Sequence, residues 1–100
     1  MVHHIILWKL KDTISGEEKN QVLTDMKKNL EALKDTVDTI NTIEVKISNM
    51  DSSNVDVMLN STFDSKEALD EYQKHPSHQN AANTYVRPFT EIRSCIDFED

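Results

Sequence analysis

The sequence predicts an α+β domain in which a four-stranded antiparallel sheet carries helices on one face. Three observations point there. Apolar residues alternate with period two in four short segments, they recur at three- and four-residue spacing between those segments, and one glycine and two prolines in 100 residues leave little but regular elements.

Residues 2–10 read as the first strand. Val2, His4, Ile6, Trp8 and Leu10 fall on one side and His3, Ile5, Leu7 and Lys9 on the other, so both faces are largely apolar and both need cover. Ser15 with Glu18 three residues on reads as a capping box. Val22, Leu23, Met26, Leu30, Leu33 and Val37 then mark an amphipathic helix over residues 16–36. From Thr42 the period returns to two, with Ile43, Val45 and Ile47 alternating with Glu44, Lys46 and Ser48. The run Asp51-Ser52-Ser53-Asn54 supplies turn chemistry. A pairing strand follows, with Val55, Val57, Leu59 and Phe63 on one face and Asp56, Met58, Asn60 and Thr62 on the other. Asp64 or Ser65 caps a second helix whose inward stripe is Ala68, Leu69 and Tyr72. His75 before Pro76 stops that helix, and a short helical segment over residues 77–86 ends before Pro88. Ile92, Ile96 and Phe98 alternate with Glu91, Arg93 and Asp97 in a last strand.

Strand, helix, strand, strand, broken helix, strand is a split βαβ unit of ferredoxin-like type. Its second sheet face holds Ile5, Leu7 and Met58, too apolar to stay wet, so a second copy packed sheet to sheet is expected to cover it as a homodimer. One domain over residues 1–100 is expected, with no room for a separate cofactor module.

Charge removes several classes of function. Lys+Arg 11 against Asp+Glu 18 gives a net charge of −7, which repels phosphate backbones and anionic headgroups, so neither nucleic acid nor membrane is an expected partner. A single glycine excludes a dinucleotide fingerprint, and the lone Cys95 excludes an internal disulfide and any multi-cysteine metal site. That cysteine usage suits a reducing compartment. The run Ile5-Ile6-Leu7-Trp8 is too short for a signal core or a membrane span, and the expected location is cytoplasmic.

The densest polar cluster is Tyr72-Gln73-Lys74-His75-Pro76-Ser77-His78. The break at Pro76 can turn the Tyr72 phenol and the His78 imidazole toward one space, where imidazole suits proton transfer near neutrality and a phenol can donate to a substrate oxygen. A purely structural reading stands beside this one: His75 bonds free helix amides, His78 faces solvent and Tyr72 fills core. His3 and His4 face opposite ways. His4 belongs with Ile6 and Trp8 under the Tyr72–His78 region, where a buried imidazole needs a polar partner. A metal set of His4, His75 and His78 lacks an acidic ligand at a useful offset, so neither metal nor cofactor is expected.

The opening Val2-His3-His4-Ile5-Ile6-Leu7-Trp8-Lys9-Leu10-Lys11-Asp12, the segment Ser61 to Tyr72 and the motif His75-Pro76-Ser77-His78 together resemble the stress-responsive dimeric α/β-barrel (Dabb) family. The resemblance spans nearly the whole chain and implies a ferredoxin-like monomer pairing through its sheet. The chain is also similar, in the Tyr-x-x-His-Pro-x-His segment, to plant polyketide cyclases of the olivetolic acid cyclase type. Their catalytic pair implies roles for Tyr72 and His78, and their strand-one pocket histidine implies one for His4. Val22, Leu23 and Met26 stand where those cyclases carry aromatic pocket residues. The expected site therefore has Tyr72 and His78 as catalytic residues, lined by His4, Ile6, Trp8, Val22, Leu23, Met26, Leu59 and His75. The expected function is that of a small homodimeric protein holding a small organic ligand between helices and sheet, its activity unassigned. Two alternatives accompany it: a cofactor-free lyase or cyclase with His78 as general base and Tyr72 as hydrogen-bond donor, and a ferredoxin-like monooxygenase.

Overall fold

Strand β1 (Val2–Leu10) runs through the middle of the sheet, with its even-numbered residues buried and its odd-numbered ones half-buried. A computed structural model describes residues 1–100. Helices α1 (Gly16–Glu31) and α2 (Leu33–Thr36) follow, then strands β2 (Ile40–Lys46) and β3 (Val57–Phe63), helices α3 (Lys66–Lys74) and α4 (Pro76–Ala81), and strand β4 (Thr90–Glu99). The sheet order is β2-β3-β1-β4 with every pair antiparallel, the ferredoxin-like arrangement. No helix is long and apolar enough to cross a membrane.

The core lies between the inward face of the sheet and the helices. Ile6, Trp8 and Leu10 of β1, Val57, Leu59 and Phe63 of β3 and Val45 of β2 meet Val22, Met26 and Leu30 of α1 with Leu69 and Tyr72 of α3. The period-two stripe and the helical stripe thus bury one another, at about 25 cal/mol per Å² of apolar surface removed from water. Asp56 ties the open end of this layer together. It accepts from the Leu10 amide at 2.8 Å and pairs with Lys19 of α1 at 3.1 Å, while its own amide donates to the Trp8 carbonyl at 2.9 Å. Burial pushes its carboxyl up, but the Leu10 amide and Lys19 outweigh that and hold it below the ordinary value.

Several local expectations change. The helix foreseen over 16–36 breaks at Ala32 into α1 and α2. The capping box does not form, because Gly16 takes φ +61° and the Ser15 hydroxyl makes no bond to the first turn. Ser65 does cap α3, accepting from the Ala68 amide at 3.1 Å, and Asp64 instead accepts from the Asn41 side chain at 2.7 Å. The segment foreseen over 77–86 starts at Pro76 as α4 and ends in a wider turn, Ala82–Val86, where the Arg87 amide reaches back five residues to the Ala82 carbonyl at 2.8 Å.

The outward face carries Ile5, Leu7 and Met58, aligned across the strands with Ile96; Leu7 pairs with Met58, and Ile5 with Ile96. Ile92, Ile96 and Phe98 are 50%, 58% and 41% exposed.

Candidate functional site

The break between α3 and α4 builds the site. Pro76 can start α4 because the first helical amide needs no partner, and the extended His75 backbone (ψ 135°) turns the chain between the two helices. The His75 Nδ1 then accepts from the Ser77 amide at 3.0 Å, so this imidazole is spent on capping. One turn on, His78 reaches back across the break, and its Nδ1 lies 3.1 Å from the Gln73 carbonyl. A carbonyl only accepts, so Nδ1 carries the proton and Nε2 is left with its lone pair. Burial holds the His78 imidazole below its ordinary value, so the ring is neutral around pH 7.

Tyr72 sits beneath it, 1% exposed, with ring centroids 4.5 Å apart. Phe63 packs on the far side of the phenol at 5.2 Å and His4 meets it edge-on at 6.2 Å. Burial pushes the Tyr72 hydroxyl well above its ordinary value, which keeps it a donor rather than a phenolate. His4 finds the polar partner its burial demands in Asp97 of β4, whose carboxylate accepts from the imidazole Nδ1.

Above these rings lies a cavity of about 80 Å³ between the helices and the sheet. Of the residues foreseen for the site, Ile6, Trp8, Leu59, Tyr72 and His78 line it together with Leu30, Ala82, Val86, Arg87, Thr90 and Arg93. His4 backs Tyr72 from outside that lining. Val22 and Met26 are buried in the core under α1, Leu23 borders a separate hollow with Ile47 and Val55, and His75 caps α4. Arg87 and Arg93, which line the cavity, and Asp97, which holds His4, are the positions that sequence reasoning missed.

One set of side chains gathers metal-binding atoms. His4, Cys95 and Asp97 each place a donor within 4.8 Å of the others, with Cys95 Sγ 3.8 Å from His4 Nδ1 and 3.6 Å from Asp97 Oδ1. A nitrogen, sulfur and oxygen set of this kind suits a borderline divalent ion, which would have to displace the bond between His4 and Asp97. Burial and the neighbouring Asp97 raise the Cys95 thiol, so it is no ready nucleophile. The weighed set of His4, His75 and His78 does not gather in this way.

The family model for the stress responsive A/B barrel domain, Dabb, matches residues 2–100. The chain belongs to the Dabb family. A dimeric protein of unknown function and ferredoxin-like fold from Bacteroides fragilis is 33% identical to this Dabb chain and superposes with a TM-score of 0.93 over 99% of it and 95% of the other. A Dabb family protein with a ferredoxin-like fold from Mesorhizobium loti is 20% identical, with a TM-score of 0.76 over 99% and 95% of the two chains. A hydroxynitrile lyase from Passiflora edulis is 16% identical, with a TM-score of 0.73 over 97% and 90%. At those two identities the likeness speaks for the fold alone. Among curated proteins the Dabb chain finds no match.

Proposed function

We propose that this Dabb chain is a homodimer, joined through its outward sheet faces, that holds a small organic ligand in the cavity under α3 and α4. One observation carries the ligand reading. The cavity is apolar on most sides, yet two polar groups reach it uncommitted: the His78 Nε2 and the Tyr72 hydroxyl, which forms no hydrogen bond within the protein. Both atoms open onto the cavity without a protein partner, so a guest lodged there can bond them. An apolar cavity of about 150 Å³ admits benzene, so a space of about 80 Å³ suits a guest of only a few heavy atoms. The dimer reading rests on the apolar outward face and on the dimeric description of the Bacteroides fragilis relative.

Trp8 is the only tryptophan and lines the cavity, so its emission reports occupancy. A screen of neutral and anionic fragments should shift Trp8 emission and the His78 ring signals together. A screen in which nothing moves either would remove the ligand reading. For the dimer, sedimentation at micromolar concentration should give twice 11.5 kDa, and Leu7→Glu should give monomers. A wild-type chain that stays monomeric as concentration rises would overturn it.

The neutral His78 with Nε2 free favours a second reading, cofactor-free acid–base catalysis by a lyase or cyclase. His78 would take a proton while Tyr72 donates to the substrate oxygen. For any substrate the screen finds, His78→Ala should cut turnover by about 10²–10⁴ with the fold intact, and Tyr72→Phe should cut it less. Wild-type turnover in His78→Ala would end this reading.

A further inference from the structure

We propose that the cavity selects a short-chain carboxylate, its headgroup gripped by Arg87 and Arg93 and its carbon body laid against Ile6, Trp8 and Leu59. This rests on the ligand reading above and specifies the charge of the guest.

The chain contains two arginines, and both line this one cavity. In a molecule with a net charge of −7, that placement runs against the overall field. Four of the lysines are already matched: Lys9 with Asp12, Lys19 with Asp56, Lys27 with Glu31 and Lys46 with Glu44. Neither arginine enters an ion pair. Arg87 is propped by the neutral side-chain oxygens of Gln79 and Asn83, which fix its direction and leave its charge unspent. No acidic side chain lines the cavity, and Asp97, further along β4, is held by His4.

The two arginines come from different elements, Arg87 from the end of the wide turn and Arg93 from β4, and they stand at the exposed rim of the cavity. Both act on the His78 imidazole, and Arg93 acts on the Tyr72 hydroxyl. A planar guanidinium fork matches a carboxylate through two parallel bonds, which a lysine ammonium does not reproduce. The apolar floor sets the other half of the ligand. Inorganic phosphate would place charge against Trp8 and Leu59 with nothing to bury, whereas a short carbon chain fills that floor. A keto oxygen beside the carboxylate would accept from the Tyr72 hydroxyl, and a hydroxyl in that place could also donate to the His78 Nε2.

The test compares pyruvate, propionate, uncharged pyruvamide and inorganic phosphate on the intact wild-type protein and on Arg87→Gln and Arg93→Gln. Both substituted positions are exposed, and unchanged thermal midpoints would establish that the variants fold. Pyruvate and propionate should shift Trp8 emission and the His78 ring signals, pyruvamide and phosphate should bind far more weakly, and each arginine variant should weaken pyruvate about tenfold. Equal binding of pyruvamide and pyruvate, or unaltered pyruvate binding in both variants, would overturn carboxylate selection while leaving the ligand reading in place. Phosphate binding as well as pyruvate would overturn it as well, in favour of a bare anion site. If none of the four probes moves Trp8 or His78, and neutral fragments fail too, the proposal and the ligand reading fall together.

Discussion

Strands β3 and β4 flank β1 on either side, both antiparallel to it, and the fold treats them in opposite ways. The inward residues Val57, Leu59, Ser61 and Phe63 of β3 are 0–1% exposed, whereas no residue of β4 is buried. The cause is reach: the helical layer that seals β1, β2 and β3 stops short of the β4 edge. A strand held chiefly by its ladder can afford polar inward side chains. Accordingly β4 supplies Arg93, Cys95 and Asp97 toward the site, and its apolar residues Ile92, Ile96 and Phe98 lie on the outward face. The lesson is a division between the two flanks of β1, in which β3 is sealed into the core and β4 carries the exposed polar and apolar side chains.

The largest effect belongs on the sealed side. Trp8 is 4% exposed, and Trp8→Ala should cost about 3–5 kcal/mol, read as a fall in urea midpoint. A midpoint near wild type would dissolve the contrast at its centre. The comparison sharpens with Leu59→Ala against Ile96→Ala, two residues that pair with β1 from opposite sides. The first should cost about 2–5 kcal/mol and the second stay within about 0.5 kcal/mol of intrachain stability. Any further effect of Ile96→Ala should appear as a concentration dependence of the melt. Next come the helix starts. Ser65→Ala should cost about 1 kcal/mol, while Ser15→Ala should change thermal stability little, since only Ser65 bonds its first turn.

The smallest effect concerns pH. The folded-state value of His78 lies below that of the unfolded chain, so between the two the unfolded state binds more protons and stability falls as pH drops. Above pH ~6.5 the residue has no such effect, because the ring is neutral in both states. His78→Gln should therefore flatten the decline on the acid side of pH ~6.5 in denaturant midpoints taken across pH. An unaltered slope would show that the imidazole titrates normally.

Much of the fold was legible because period and composition are local. Strand β1 has the bounds its alternation predicts, and the inward placement of His4 follows from parity alone. The break at Ala32 was hidden, since Leu30, Leu33 and Val37 continue a helical stripe straight through it. Ser15 misled because its pattern fits a capping box while Gly16 adopts a backbone that turns the first turn aside. At the site, Tyr72 and His78 stand six positions apart and were visible together. Asp97 meets His4 only through strand pairing across 93 residues of sequence, and Arg93 likewise arrives through the register of β4. No local pattern announces such a pair.

The wide turn over Ala82–Val86 sets a rule about length. Ala82, Val86 and Arg87 all line the cavity, although in an ordinary α-helix a residue five positions on is rotated by more than a full turn past the first. The extra residue in this turn brings Arg87 round to the same side. Exposed Thr84 can change identity with little consequence, but its deletion would restore the tighter winding and swing Arg87 by about 100° away from the opening. Insertions and deletions here therefore act on the cavity more severely than any single replacement within the turn, and a chain one residue shorter would keep its sheet while losing one of its two arginines from the rim.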